Sequence, residues 1–248
     1  PCFSELEDSD AAPTVTEIST ALKRLKNHKC PGLDGVSNEE LKFGSTVLVG
    51  PLEALFGEVW ESEKVPSDWL KGVITVLPKK GDSSVCGNNR GITLRATTSK
   101  LFQMVLLGRM EDGLERLLRE NQCGFRRGRS CIDQIFSLRM AIHQASEYNL
   151  PLFLNFIDFK AAFDSINRGV IWAAFKYYGL PDKYIRILRS VFDGTVSAVR
   201  WAGGLSEWFE VLSGTGQGDI QGPVVFNVCL NLAVELSEAH GSPSRGLV

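Results

Sequence analysis

The chain has 248 residues, 44% of them hydrophobic and 23% charged, enough for one large domain or two smaller subdomains with buried cores. A net charge of -2 excludes a nucleic-acid signal from the surface as a whole, so any such binding must rest on local basic patches. The six scattered cysteines, the lack of any apolar run near the roughly 20 residues that span a bilayer, and a first segment without a signal peptide's pattern argue against a disulfide framework, a zinc site, a membrane span or secretion. An intracellular protein of nucleus or cytoplasm is expected, and the lack of an initiating Met points to an excised segment.

After a tail over residues 1–13, Thr14 and Glu17 form a capping box, followed by Ile18, Ala21, Leu22 and Leu25 at helical spacing up to Lys26 and Lys29. Pro31-Gly-Leu-Asp-Gly35 is a turn, Asn38 is expected to cap a short helix through Leu41, and Pro51 to open another through Trp60. Val73–Leu77 reads as a strand, and Ser99 to about Leu118 and Ile132 to about Tyr148 as long helices. Leu152–Ile157 is short and mostly apolar, which suits a buried strand delivering Asp158 at its end. A helix through Val170 and Tyr178 closes at Gly179, and Pro181 starts the next. Val196–Trp201 and Trp208–Leu212 make a hairpin across Gly203-Gly204, Pro223 to about Leu236 is a last helix, and residues 241–248 are a disordered tail.

Several segments have chemistry in them. A carboxylate at a strand end, as Asp158 is expected to be, can hold a divalent cation, although such an Asp alone is more often a turn or capping residue. In Ser213-Gly-Thr-Gly-Gln-Gly-Asp219 three glycines let the backbone approach a ligand closely while an amide side chain touches it; an ordinary turn is the alternative. Gln122-Cys-Gly-Phe-Arg-Arg-Gly-Arg129 sets three arginines beside Phe125, a composition suited to phosphate, and Lys79, Lys80 and Arg90 form a second basic loop. Each basic loop alone is equally readable as solvated surface.

In order along the chain, Pro31–Gly35, Asp68-Trp69 with Leu77–Asp82, Arg90-Gly-Ile-Thr-Leu94, Gln122–Ser130 and Asp133-Gln-Ile135 resemble the fingers and upper-palm motifs of the reverse transcriptases of non-LTR retrotransposons, most closely the RTE-type branch. Ile157-Asp-Phe-Lys-Ala-Ala-Phe-Asp-Ser165 resembles that family's first catalytic motif. The resemblance implies Asp158 as catalytic residue and Mg2+ ligand, Phe163 as the ring that blocks a ribose 2′-hydroxyl, and Phe159 in the nucleotide pocket. It places Gln217 and Gly218 in the pocket for nucleotide and template, sends Lys79, Lys80 and Arg90 toward the incoming triphosphate, and turns Phe125, Arg126, Arg127 and Arg129 toward nucleic acid. Asp164 is expected to be structural.

The fold implied is α+β: right-hand polymerase fingers and upper palm over 14–150, then a partial palm over 151–240 whose incomplete ferredoxin-like sheet is built from Leu152–Asp158 and the Gly203 hairpin, with no thumb. The implied partners are an RNA template, a DNA primer and dNTP, with two Mg2+ ions as cofactor. Three departures stand out: Asn89 where the family has an aromatic, Gly216 where it has Arg, and Gln221-Gly-Pro223 where it has Leu-Ser-Pro. The family's paired aspartates would follow on a later strand, and no Asp follows Asp219 here. The expected behaviour is that of a polymerase fragment stopping before those aspartates and not catalysing by itself; the alternative is a non-catalytic nucleic-acid-binding or inert remnant.

Overall fold

The computed structural model describes residues 2–7, 10–216 and 218–239. The expected tail over 241–248 lies outside them, as does Gln217. The segment ahead of Thr14 is packed: a one-turn helix α1 (Ser4–Glu7) follows Phe3, which is buried where Gly113 leaves room for its ring. In α2 (Val15–Arg24) the Thr14 hydroxyl accepts from the Glu17 amide, and the Glu17 carboxylate accepts from the Thr14 amide at 2.8 Å. Ile18, Ala21 and Leu22 bury its inner face.

Two helix starts differ from expectation. The cap of α3 (Asn38–Phe43) is Ser37, reciprocally bonded with Glu40, while Asn38 is buried and donates to the Lys26 carbonyl at 2.7 Å. Next, α4 (Ser45–Ser62) begins six residues before Pro51 and runs through it. The proline deprives the Val47 carbonyl of its donor, a loss tolerable on this outer turn, where Val47 is 76% exposed and water is at hand.

A hairpin follows, β1 (Lys71–Pro78) with β2 (Asn89–Leu94), then α5 (Thr97–Leu117), α6 (Cys131–Glu147), α7 (Arg168–Tyr177) and α8 (Asp182–Phe192). The strand β3 (Val196–Trp201) has its return strand in two pieces, β4 (Gly204–Leu205) and β5 (Phe209–Glu210), and α9 (Gly222–Ala239) ends the described chain. The return strand breaks at Ser206, whose hydroxyl accepts from the Val199 amide while its own amide donates to the Val199 carbonyl, both at 2.9 Å. One sheet, in the order β2-β1-β3-β4 with β5 also on β3, forms because β1 pairs antiparallel with β2 and parallel with β3. The helical core joins α4, α5 and α8 through edge-on aromatic contacts, Phe56 to Phe102 and Trp60 to Tyr184, each at 5.1 Å. The mixed α+β class is as the sequence indicates.

The expected buried strand at Leu152–Ile157 is not formed. Residues 151–159 have no regular structure and are exposed throughout, Phe153 to 92%. A strand needs a neighbour for its amides and carbonyls, and among the described residues none runs alongside. Of the sheet expected from this segment and the Gly203 hairpin, the hairpin forms as β3 with β4 and β5, and β1 rather than Leu152–Asp158 lies beside it. The helix α6 likewise buries none of its side chains. No helix among the described residues is long and apolar enough to cross a membrane.

Candidate nucleotide and nucleic-acid site

The loop between β1 and β2 is held by its own amides. Lys79 N–H donates to the Asn88 carbonyl at 2.7 Å, and Asn89 Nδ2 donates to the carbonyls of Ser83 and Val85 at 2.9 and 3.1 Å. Asn89 therefore staples the loop from within. Lys79 Nζ reaches only the Gly87 carbonyl at 3.2 Å, and Lys80 and Arg90 are exposed. Among the described residues no carboxylate pairs with these three cations, so a bound anion would meet no internal competitor.

Asp158 lies in the exposed, irregular segment 151–159, and Ala161, at φ 52°, turns the chain so that the amides of Asp164 and Ser165 both donate to its carbonyl at 3.0 Å. This turn sets Phe163 between Phe125 and Phe226, with ring centroids 5.9 and 5.7 Å away, while Phe159 meets Phe226 at 5.7 Å. Phe159 and Phe163 are thereby gathered into one aromatic wall. Burial pushes the Asp164 carboxyl above its ordinary range.

The glycine-rich loop is stitched to this wall. Gly214 N–H donates to the Ile166 carbonyl at 2.8 Å, Thr215 N–H to the Phe163 carbonyl at 2.9 Å, and the Ser213 hydroxyl to the Asp164 carbonyl at 3.0 Å. Gly214, at φ 67°, sits so close that a Cβ would fall 2.4 Å from the Phe163 carbonyl oxygen. On its other side the loop lies against β2: a Cβ on Gly218 would stand 3.1 Å from the Thr93 carbonyl oxygen. One loop thus touches both the Asp158–Ser165 segment and the strand carrying Arg90. Gly218 is in it; Gln217 is outside the described residues.

The four residues of the arginine loop are placed differently from one another. Arg126 is buried, forked onto Glu115 at 2.7 and 3.0 Å and donating to the Arg119 carbonyl at 2.6 Å. Arg127 is exposed and reaches Glu111 at 3.0 Å, Arg129 pairs with Glu120 at 2.6 Å, and Phe125 is 67% exposed at φ 55°. Asn227 braces the loop, its Nδ2 donating to the Gly124 carbonyl at 2.9 Å. Two arginines that the sequence reading passed over, Arg95 and Arg168, hold the ends of the glycine loop. As isolated cations outside any periodic or glycine-rich run, they carry no local signal.

A metal site cannot be completed from these residues. Among those described, no cluster of three or more His, Cys, Asp or Glu is placed to hold an ion. Reverse transcriptases as a family use divalent metal ions, but the donor set here does not by itself fit one.

The family model described as reverse transcriptase (RNA-dependent DNA polymerase) matches residues 77–240. A probable RNA-directed DNA polymerase from transposon BS of Drosophila melanogaster is 29% identical over 218 residues, covering 86% of this chain and 24% of the relative. A probable RNA-directed DNA polymerase from transposon X-element of the same fly is 27% identical over 216 residues, covering 85% and 23%. The chain thus spans about a quarter of the length of these curated relatives. Among solved structures, a chain of a partial Cas6-RT-Cas1–Cas2 complex superposes with a TM-score of 0.50 at 15% identity, over 91% of this chain and 34% of that one, a likeness of fold alone. With the family model matching most of its length, the chain belongs to the reverse transcriptase (RNA-dependent DNA polymerase) family, of the non-LTR retrotransposon kind.

Proposed function

We propose that these 248 residues are the fingers and part of the palm of an RNA-directed DNA polymerase, holding an RNA template, a DNA primer and a dNTP without completing the reaction alone. The observation that carries this reading is the glycine-rich loop bonded to the Phe163–Ile166 turn on one side and packed on Thr93 of β2 on the other. It gathers three segments into one wall. In this reading Arg90, Lys79 and Lys80 neutralise triphosphate charge. The half-buried Phe163 ring, fixed by Phe125 and Phe226, excludes a 2′-hydroxyl, and Gln217-Gly218 contact nucleotide and template.

Phe125 stacks on nucleic acid, Arg127 and Arg129 contact backbone phosphates by exchanging their surface carboxylates for them, and Arg126 acts by holding that loop in place. Asp158 is the carboxylate assigned to a divalent cation, Mg2+, and one carboxylate is too few to hold the pair of ions that nucleotidyl transfer uses. Its role is therefore latent in this segment.

The test measures fluorescence anisotropy of an annealed RNA template and DNA primer at rising salt, with primer extension run on the same protein. Affinity is expected to fall steeply with salt, to weaken by about tenfold in an Arg127→Ala/Arg129→Ala variant, and to survive Asp158→Ala, with no nucleotide added in any sample. Absence of binding, or binding indifferent to salt, overturns the reading in favour of an inert remnant. Extension abolished by Asp158→Ala overturns the statement that the metal site is incomplete.

A further inference from the structure

The glycine-rich loop is anchored at both ends by cations, the half-buried Arg168 and the largely buried Arg95, and both are anchored on the same helix end. Arg168 donates Nε to the Gly214 carbonyl at 3.2 Å, Nη1 to the Phe192 carbonyl at 2.5 Å and Nη2 to the Thr195 hydroxyl at 3.0 Å. Arg95, directly after β2, donates Nη1 to the Val191 carbonyl at 3.2 Å and faces the Asp219 carboxylate at 3.4 Å. Consecutive carbonyls at the C-terminal end of α8 therefore each take one guanidinium, where the helix dipole favours positive charge.

The Arg95 and Asp219 side chains are only 9% and 4% exposed. Their attraction is one of charge rather than a directed bond, because among the described residues neither Asp219 Oδ2 nor Arg95 Nε has a hydrogen-bond partner. In such a buried setting a charge pair is screened little by water. Burial and the neighbouring Arg95 draw the Arg168 pKa down, against the opposing charges of Asp193 and Asp219, which places all four groups in one electrostatic cluster.

We infer that Arg95 and Arg168 are positioning residues that clamp the glycine-rich loop at Gly214 and at Asp219 to the end of α8 and so set where Gly218 stands. The inference rests on the proposed function only in making that loop part of the nucleotide and template site; the clamp itself is a matter of geometry. Its functional content is that the nucleotide pocket is registered to the α8–β3 corner, a region outside every segment that resembles a family motif. A disturbance at Val191–Thr195 is thereby transmitted to the pocket through two side chains.

Removing one charge alone strands the other in the interior and can unfold the chain, so the test relies on a neutral pair. In Arg95→Leu/Asp219→Leu, both charges leave together. The 248-residue chain and this variant are compared by backbone hydrogen exchange and by anisotropy of the RNA–DNA primer-template. Amides over 213–219 are expected to exchange at least tenfold faster in the variant, while those of α2, α4 and α5 are unchanged, and primer-template affinity is expected to drop several-fold. Arg95→Lys, which keeps both the charge and a donor for the Val191 carbonyl, is expected to retain most of the affinity.

Unchanged exchange over 213–219 overturns the clamp. Faster exchange with undiminished affinity leaves the clamp standing and overturns instead the assignment of Gln217-Gly218 to the binding site.

Discussion

Arg109 lies along Glu17, its Nε 2.6 Å from one carboxylate oxygen and its Nη2 2.9 Å from the other, so that α5 and α2 are joined by a two-pronged bond. The same carboxylate accepts the Thr14 amide, and the same guanidinium donates to the carbonyls of Ala11 and Ala12 and stacks 4.9 Å from the Trp60 ring centre. One ion pair therefore closes a helix cap, ties down the segment before it and covers the largest core side chain.

Burial raises the Glu17 pKa, but the bonds from Arg109 and Thr14 outweigh it and carry the carboxyl from 4.5 down to about 2. Because the folded value is depressed, the stabilisation is fully present above pH 4.5 and is lost as pH falls toward 2. The gap corresponds to about 3 kcal/mol, reduced to about 2 by the carboxylate's partial exposure. In urea denaturation across pH, Glu17→Gln should lose about 2 kcal/mol at pH 7 and show a flatter acid limb between pH 4.5 and 2. Parallel acid limbs in the two proteins would contradict this.

The arginine loop separates holding from binding. Arg126→Ala should cost about 2 to 3 kcal/mol in thermal or chemical unfolding, since it strips a buried fork and leaves the Arg119 carbonyl with only the Gln122 amide as donor among the described residues. Arg127→Ala, at an exposed side chain, should change stability by no more than about 0.5 kcal/mol yet lower the salt slope of primer-template binding by about one. Equal losses of stability in the two variants would remove the distinction.

Two glycines with nearly the same backbone angle make a controlled comparison. Gly35, at φ 68°, has open space around it, so Gly35→Ala should cost about 1 kcal/mol from backbone strain alone. Gly214, at φ 67°, would in addition drive its methyl into the Phe163 carbonyl, and Gly214→Ala should cost about 2 kcal/mol or more, with faster hydrogen exchange at 163–166. The comparison fails if the two variants unfold at the same denaturant concentration.

The exposed Phe153 and Phe156 contribute little to the packed core, at 92% and 78% exposed. Phe153→Ser/Phe156→Ser should therefore leave the unfolding free energy within about 0.5 kcal/mol while reducing binding of the dye ANS. A large loss of stability would mean that these rings are buried in solution.

What could be read from sequence follows the range of the interactions involved. The Thr14 cap, the Gly179 stop and the apolar faces of α2, α5 and α8 are set within a few residues of themselves, and each stands where its spacing placed it. Leu152–Ile157 has a strand's composition but requires a partner far away in sequence, which its own residues do not encode. Pro51 misled because a proline inside an outer helical turn looks, in sequence, like one that begins a helix. The glycine loop was legible as a motif; its anchors were not, since the identities of Arg95 and Arg168 say nothing of the carbonyls they meet 96 and 24 residues away.

The parallel register of Lys71 with Val196 has a consequence for how the chain comes to be folded. The strand at the centre of the sheet is synthesised early, and the strand that completes its other edge emerges only after four intervening helices. At ribosomal speeds of about 5–20 residues per second, that edge waits for roughly 6 to 24 seconds with its hydrogen-bonding groups uncommitted. The hairpin and the α2–α4–α5 helices can assemble in that interval from contacts nearer in sequence, whereas sheet closure must draw together a long loop and is the slow, aggregation-exposed step. Chaperone dependence and misfolding should accordingly concentrate in nascent chains that end before about residue 200.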